Sequence, residues 1–214
     1  MYNIEEIIQI FSDNENRDDF LFEYNFDGID QRFDRFLKQW VRENVNSNKN
    51  IILEHCFKLS VEIDFIFDDL IRAVERVLKG RYFYLTKLSA LDLIFHCVLT
   101  DKEHQKLYRS INKLGISKTR NKLVKFQALI NECILIENES NLLVIKNNIL
   151  HILKQEIEPF YWYRFCNFIS LSDLLRSRLK PFISEYILLL ATKEFYADVS
   201  SELGKCLNSI SVEK

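Results

Sequence analysis

Apolar side chains recur at three- and four-residue steps along most of the chain, the period of helices that bury one face. Residues 3–11 read as a short helix, with Asn3 as its cap and Glu6 in the place of a capping-box partner. Residues 12–19 are polar and acidic and read as a solvated loop. Residues 29–43 put Ile29, Phe33, Phe36, Leu37, Trp40 and Val41 on one helical face, and the polar residues 44–50 interrupt the pattern. The strongest periodicity covers residues 50–79. There Cys56, Leu59, Ile63, Ile66, Leu70, Val74 and Val77 keep helical register, and Asp68 and Glu75 stand four residues before Arg72 and Lys79. This predicts one long central helix, stopped by Gly80.

A helix over 85–99 follows, with Leu88, Leu91, Phe95, Val98 and Leu99 inward. Asp101 is expected to begin a shorter helix through Leu107, Ile111 and Leu114 that Gly115 ends. Ser117 reads as the cap of the next helix, which runs to about Asn131. Residues 134–145 are the one strand-like stretch. Ile134, Leu135 and Ile136 face Leu142, Leu143, Val144 and Ile145 across a polar tract, and this reads as a small β-hairpin or a broken helix. A helix through Ile149, Ile152, Leu153 and Glu156 is expected next. Pro159 opens an aromatic run, Ser170 or Ser172 begins a short helix to about Leu179, and Pro181 suits the first turn of a last helix. That helix would bury Phe182, Tyr186, Leu189, Phe195, Val199, Leu203 and Cys206. The fold class expected is an all-α helical bundle with at most one small β-hairpin near 134–145.

Composition sharpens this reading. The 214 residues include only 4 Gly and 2 Pro, where average usage would give roughly 15 and 10. Sheet-rich folds need turn residues and phosphate loops need glycine, so Rossmann and P-loop chemistry are disfavoured and no cofactor is expected. Net charge is −2, so no whole-protein field favours nucleic acid. The five cysteines are an odd number and contain no Cys-x-x-Cys pair, which points to reduced thiols and a cytoplasmic protein. No apolar run approaches the roughly 18 residues of a membrane span, so no membrane partner is expected.

Candidate chemistry is sparse. His55, His96, His104 and His151 do not fall into a metal-binding spacing, so no metal is expected. Glu62 and Asp69, and Asp64 and Asp68, would share faces of the long helix, but a second set of ligands is not visible. Tyr161, Trp162, Tyr163 and Arg164 in the aromatic run could form a protein interface, stack bases, or simply pack. Lys113, Lys118, Arg120, Lys122 and Lys125 form a local positive cluster, which reads as an exposed basic helix unless a phosphate sits on it.

Within that cluster, Arg120-Asn121-Lys122-Leu123-Val124-Lys125 resembles the Arg-Asn-x-x-x-His signature of HEPN domains, helical bundles found in RNA-cleaving toxins and defence systems. The order of a long acidic and apolar helix, a Leu-rich helix, a Leu/Ile helix and then the motif is also similar, over roughly residues 50–130. The resemblance implies three segments: an N-terminal helical segment (1–48), a HEPN-like core (49–131) and a C-terminal helical extension (132–214). It also implies metal-independent attack of a ribose hydroxyl on the neighbouring phosphate, with arginine stabilising charge and histidine moving a proton. Here Lys125 stands where catalytic members have histidine. A lysine has an unperturbed pKa of roughly 10.4 and is a poor base at neutral pH. On an ideal helix Arg120 and Lys125 also lie roughly 140° apart.

The favoured expectation is therefore a non-catalytic HEPN-like protein that binds RNA or protein, with Arg120, Asn121 and Lys125 as phosphate-binding candidates. Its partner would be another protein, a second copy or RNA, and the resemblance places it in bacterial defence or toxin–antitoxin biology. Two alternatives stand beside it: an endoribonuclease with a modified Arg-Asn-x-x-x-Lys site, and a helical adaptor or immunity-type protein unrelated to HEPN.

Overall fold

The computed structural model describes residues 4–13, 17–136, 138–155 and 159–193. Among these residues there are twelve α-helices, one 3-10 turn and no strand, so the fold is all-α. The chain forms two compact units, residues 1–100 and 101–214. Their boundary falls inside the 49–131 span expected as a core. No helix among the described residues is long and apolar enough to cross a membrane.

The first unit holds α1 (Ile4–Ser12), α2 (Arg17–Glu23), α3 (Gln31–Asn44), α4 (Asn50–Glu62), α5 (Asp68–Lys79) and α6 (Tyr84–Thr100). Residues 17–19 belong to a helix, not to the solvated loop expected over 12–19. The reason is Arg17, which is 2% exposed. Its Nε and Nη2 donate to the Phe11 and Ser12 carbonyls at 2.8 and 3.1 Å, and its guanidinium lies 4.6 Å from the Trp40 ring centre. Phe11 sits edge-on to Phe20, Phe33, Phe36 and Trp40 in an aromatic core.

The long helix expected over 50–79 is two helices, and this corrects the sequence reading. α4 ends in a Schellman motif at Asp64. The Phe65 amide donates to the Ser60 carbonyl at 2.9 Å, the Asp64 amide to Val61 at 3.3 Å, and Asp64 has φ 46°. Aspartate tolerates this left-handed conformation better than most residues. Residues 63–67 are non-helical, Ile63 and Ile66 are half-exposed, and Asp68 and Asp69 open α5 near its positive end. Cys56, Leu59, Leu70, Val74 and Val77 are buried as expected. Gly80 does stop α5, its amide donating to Arg76 at 2.9 Å.

The second unit holds α7 (Gln105–Ser117), α8 (Lys122–Leu135), α9 (Glu139–Gln155), α10 (Phe160–Leu171), α11 (Asp173–Leu179), a 3-10 turn (Lys180–Phe182) and α12 (Ile183–Leu190). α7 passes through a buried Gly115 and α8 is capped by Asn121, so neither Gly115 nor Ser117 has the terminal role expected. No hairpin forms at 134–145. Ile134 and Leu135 finish α8, and Asn138 starts α9, its Oδ1 accepting the Ser140 amide at 2.8 Å. The helical period of Ile145, Ile149 and Leu153, all buried, prevails over the strand preference of the β-branched residues. Ser172 caps α11 through the Leu175 amide at 3.1 Å. The expected roles of Asn3, Glu156, Phe195, Val199, Leu203 and Cys206 lie outside the described residues.

Glycine scarcity leaves most helices without the usual C-terminal residue, and arginines close several of them. Arg17 serves α1, Arg76 donates to Val45 at the end of α3 (3.0 Å), Arg176 donates to Ser170 at the end of α10 (2.8 Å), and Arg178 donates to Cys133 (2.9 Å) and Ile136 at the end of α8. Each guanidinium satisfies carbonyls that a helix leaves unpaired and places positive charge at its negative end.

Candidate phosphate-binding surface

α8 is the central helix of the second unit, and almost all of it is buried. α7 packs against it antiparallel. Asn112 Nδ2 donates to the Ala128 carbonyl at 2.9 Å and to Glu132 Oε2 at 3.1 Å, while Arg109 Nε donates to Glu132 Oε1 at 3.0 Å. These bonds pair both oxygens of the buried Glu132 carboxylate, which would be costly to leave unpaired. They also fix where the turn between α7 and α8 emerges.

In that turn the Lys118 amide closes α7 on Leu114 at 2.9 Å. Thr119 is buried, and its Oγ1 accepts the Asn121 amide at 3.2 Å. Asn121 has extended backbone (φ −71°, ψ 122°), and its Oδ1 accepts the Val124 amide at 3.1 Å. The asparagine of the motif is thus the N-cap of α8. Arg120 precedes that cap and is exposed, so the 140° separation of an ideal helix does not govern it. Lys125 lies in the first turn of α8 and is half-buried, its amide donating to the Asn121 carbonyl at 3.2 Å.

Lys113, Lys118 and Lys122 are exposed around the same turn. The stretch 105–131 contains seven Lys or Arg and no Asp, Glu or His, in a chain whose net charge is −2. The surface therefore offers cationic donors and the amide end of α8, and its segment supplies no carboxylate or imidazole to act as a base. It can hold a phosphate oxygen and stabilise its charge. This run without acidic residues was the available signal for a basic surface broader than the motif, one that also takes in Lys106.

The aromatic-run candidates Tyr161 and Arg164 pack on α8 at Phe126 and Gln127, next to Lys125 in sequence. Trp162 is fully buried, Tyr161 packs edge-on to Phe126 at 5.2 Å, and Arg164 Nε donates to Gln127 Oε1 at 2.7 Å. Tyr163, with Phe160, is exposed on α10. His96 Nε2 lies 2.8 Å from Asp64 Oδ1, and His104 Nδ1 lies 2.7 Å from Asp101 Oδ2. His55 is buried and His151 exposed. The break at 63–67 takes Asp64 off the helical face it was expected to share with Asp68, and Asp68 and Asp69 face Arg72 at 3.9 and 3.2 Å. Among the described residues no group of three His, Cys, Asp or Glu side chains could hold a metal ion.

Cys56, Cys97, Cys133 and Cys166 are buried, and burial pushes the Cys56 and Cys133 thiols up to about 12, which keeps both protonated at neutral pH. A groove of about 690 Å³ between the start of α9 and α11 is lined by Ile136, Leu142, Leu143, Arg178 and Phe182 among others. The Arg178 guanidinium there is engaged by the end of α8.

The chain matches no protein-family model, no curated protein and no solved structure.

Proposed function

We propose that the chain is a non-catalytic, HEPN-like helical protein that works by binding, with the turn between α7 and α8 holding RNA phosphates. The observation that carries this is the position of Arg120. It is exposed immediately before the N-cap of α8, beside Lys118, Lys122 and Lys125, on a segment with no carboxylate or imidazole. Such a surface attracts and positions a phosphodiester but has no group suited to taking a proton from a ribose hydroxyl. By analogy with the family it resembles, its setting is bacterial defence or toxin–antitoxin biology.

The test is incubation of the wild-type protein with RNA at pH 7. The expected result is intact RNA, bound in a complex that weakens as salt rises and weakens further on Arg120→Ala. Cleavage that is lost in Arg120→Ala or Lys125→Ala would replace this reading with the modified endoribonuclease. A protein partner is the second reading, favoured by Phe160 and Tyr163, which expose 49% and 38% of their surface on α10.

A further inference from the structure

Lys106, Ser110, Lys113 and Ser117 follow one another on α7 at steps of four, three and four residues. At 100° per residue they fall within about 60° of one another, and at 1.5 Å per residue they extend over about 17 Å. All four are exposed, while Tyr108, Ile111, Asn112 and Gly115 on the opposite side are buried. At Ser117 the line runs into the turn that carries Lys118 and Arg120. Among the described residues no carboxylate pairs with Lys106, Lys113, Lys118 or Arg120, whereas Arg109, off the line, is engaged by Glu132 at 3.0 Å. The line stops at its other end with Glu103 and Asp101.

We infer that this line is a docking edge for the phosphate backbone of a nucleic-acid duplex, read without regard to sequence. The inference rests on the phosphate-binding reading of the turn and extends it from a point to an edge. Lysines and serines are both common donors to phosphate oxygens, and such contacts fix position without reading bases. A protein partner would be expected to bury an apolar or aromatic anchor at the centre of its contact, but the line itself carries only lysine and serine, and the one large apolar side chain exposed between the two lysines is Leu107, off the line beside Lys106. Single strands are generally held by stacking bases on aromatic rings. The only aromatic residue in 105–125 is Tyr108, which is 3% exposed. What remains is a straight row of hydroxyl and ammonium donors, which suits a stiff row of phosphates.

The experiment measures binding of a 20-base-pair RNA duplex, the corresponding DNA duplex and the single strand across a salt series. The proteins are wild type, Lys106→Gln/Lys113→Gln and Arg120→Ala, with phosphatidylserine vesicles as a competing anionic surface. Surface glutamines leave the helix intact. The wild type should bind either duplex more tightly than the single strand. The logarithmic salt slope should be about −3 to −4 if the four cations engage, and the double variant should lower its magnitude by about 2. An unchanged slope in the double variant overturns the edge, while a loss in Arg120→Ala alone leaves the turn standing. Equal or tighter binding of the single strand, or vesicles that displace the duplex, also overturns it. No binding to any nucleic acid at low salt removes both the edge and the reading on which it rests.

Discussion

The Oδ1 atom of Asn121 accepts the amide of Val124 at 3.1 Å, so the asparagine of the Arg-Asn pair builds the start of α8. A cap of this kind gives a clear expectation for stability. Asn121→Ala should destabilise the protein by about 1 kcal/mol, while Asn121→Ser or Asn121→Asp should retain most of the stability. Thermal unfolding of the three variants checks this. If serine proves as damaging as alanine, the side chain does something other than cap.

The left-handed residue at the end of α4 makes a second expectation. Asp64→Gly and Asp64→Ala both remove the 2.8 Å contact with His96, so their difference isolates the backbone at φ 46°. A left-handed conformation costs an ordinary L-residue about 1–2 kcal/mol and glycine almost nothing. The glycine variant should therefore be more stable than the alanine variant by about 1 kcal/mol in denaturant unfolding. Equal stabilities would mean that this turn carries no conformational penalty.

Tyr108 donates to Asp101 Oδ2 at 2.7 Å. That bond first, and the His104 ring second, hold the Asp101 carboxyl down to about 2. The folded value is below the unfolded one of roughly 3.9. The stabilisation is accordingly present above about pH 4 and is lost as pH falls through the folded value near 2. Tyr108→Phe keeps the buried ring and removes the donor, so the Asp101 carboxyl should titrate closer to the ordinary range when followed by NMR. A carboxyl that still titrates near 2 would assign the shift to His104 or the Glu103 amide.

Helical periodicity located most elements because each helix buries one face, and α3, α6 and α11 lie where that pattern puts them. It did not show the break at Asp64. The apolar residues on both sides stay in step, and a left-handed aspartate looks like any polar residue in a helix. The acidic pair Asp68 and Asp69 was the overlooked sign of a new first turn. At 134–145 the run of Ile, Leu and Val outweighed the cap at Asn138 in the reading of the residues. Arg17 shows a further gap, because its burial depends on a distant Trp40 and on carbonyls that only the ended α1 exposes. For the candidate surface, the basic composition was legible. The use of Asn121 as the cap was not, since Ser117 offered an equally good capping residue four positions earlier.

The salt dependence of RNA binding tests most directly whether the turn between α7 and α8 makes phosphate contacts. Wild-type protein and Lys118→Ala/Arg120→Ala would be titrated with the same RNA from low salt to 0.2 M (about physiological ionic strength). Phosphate binding by this turn predicts a steep fall in wild-type affinity with salt, and a shallower slope in the variant by about 1.5 to 2. The same slope and affinity in both proteins would contradict it and leave the basic turn as a solvated helix end.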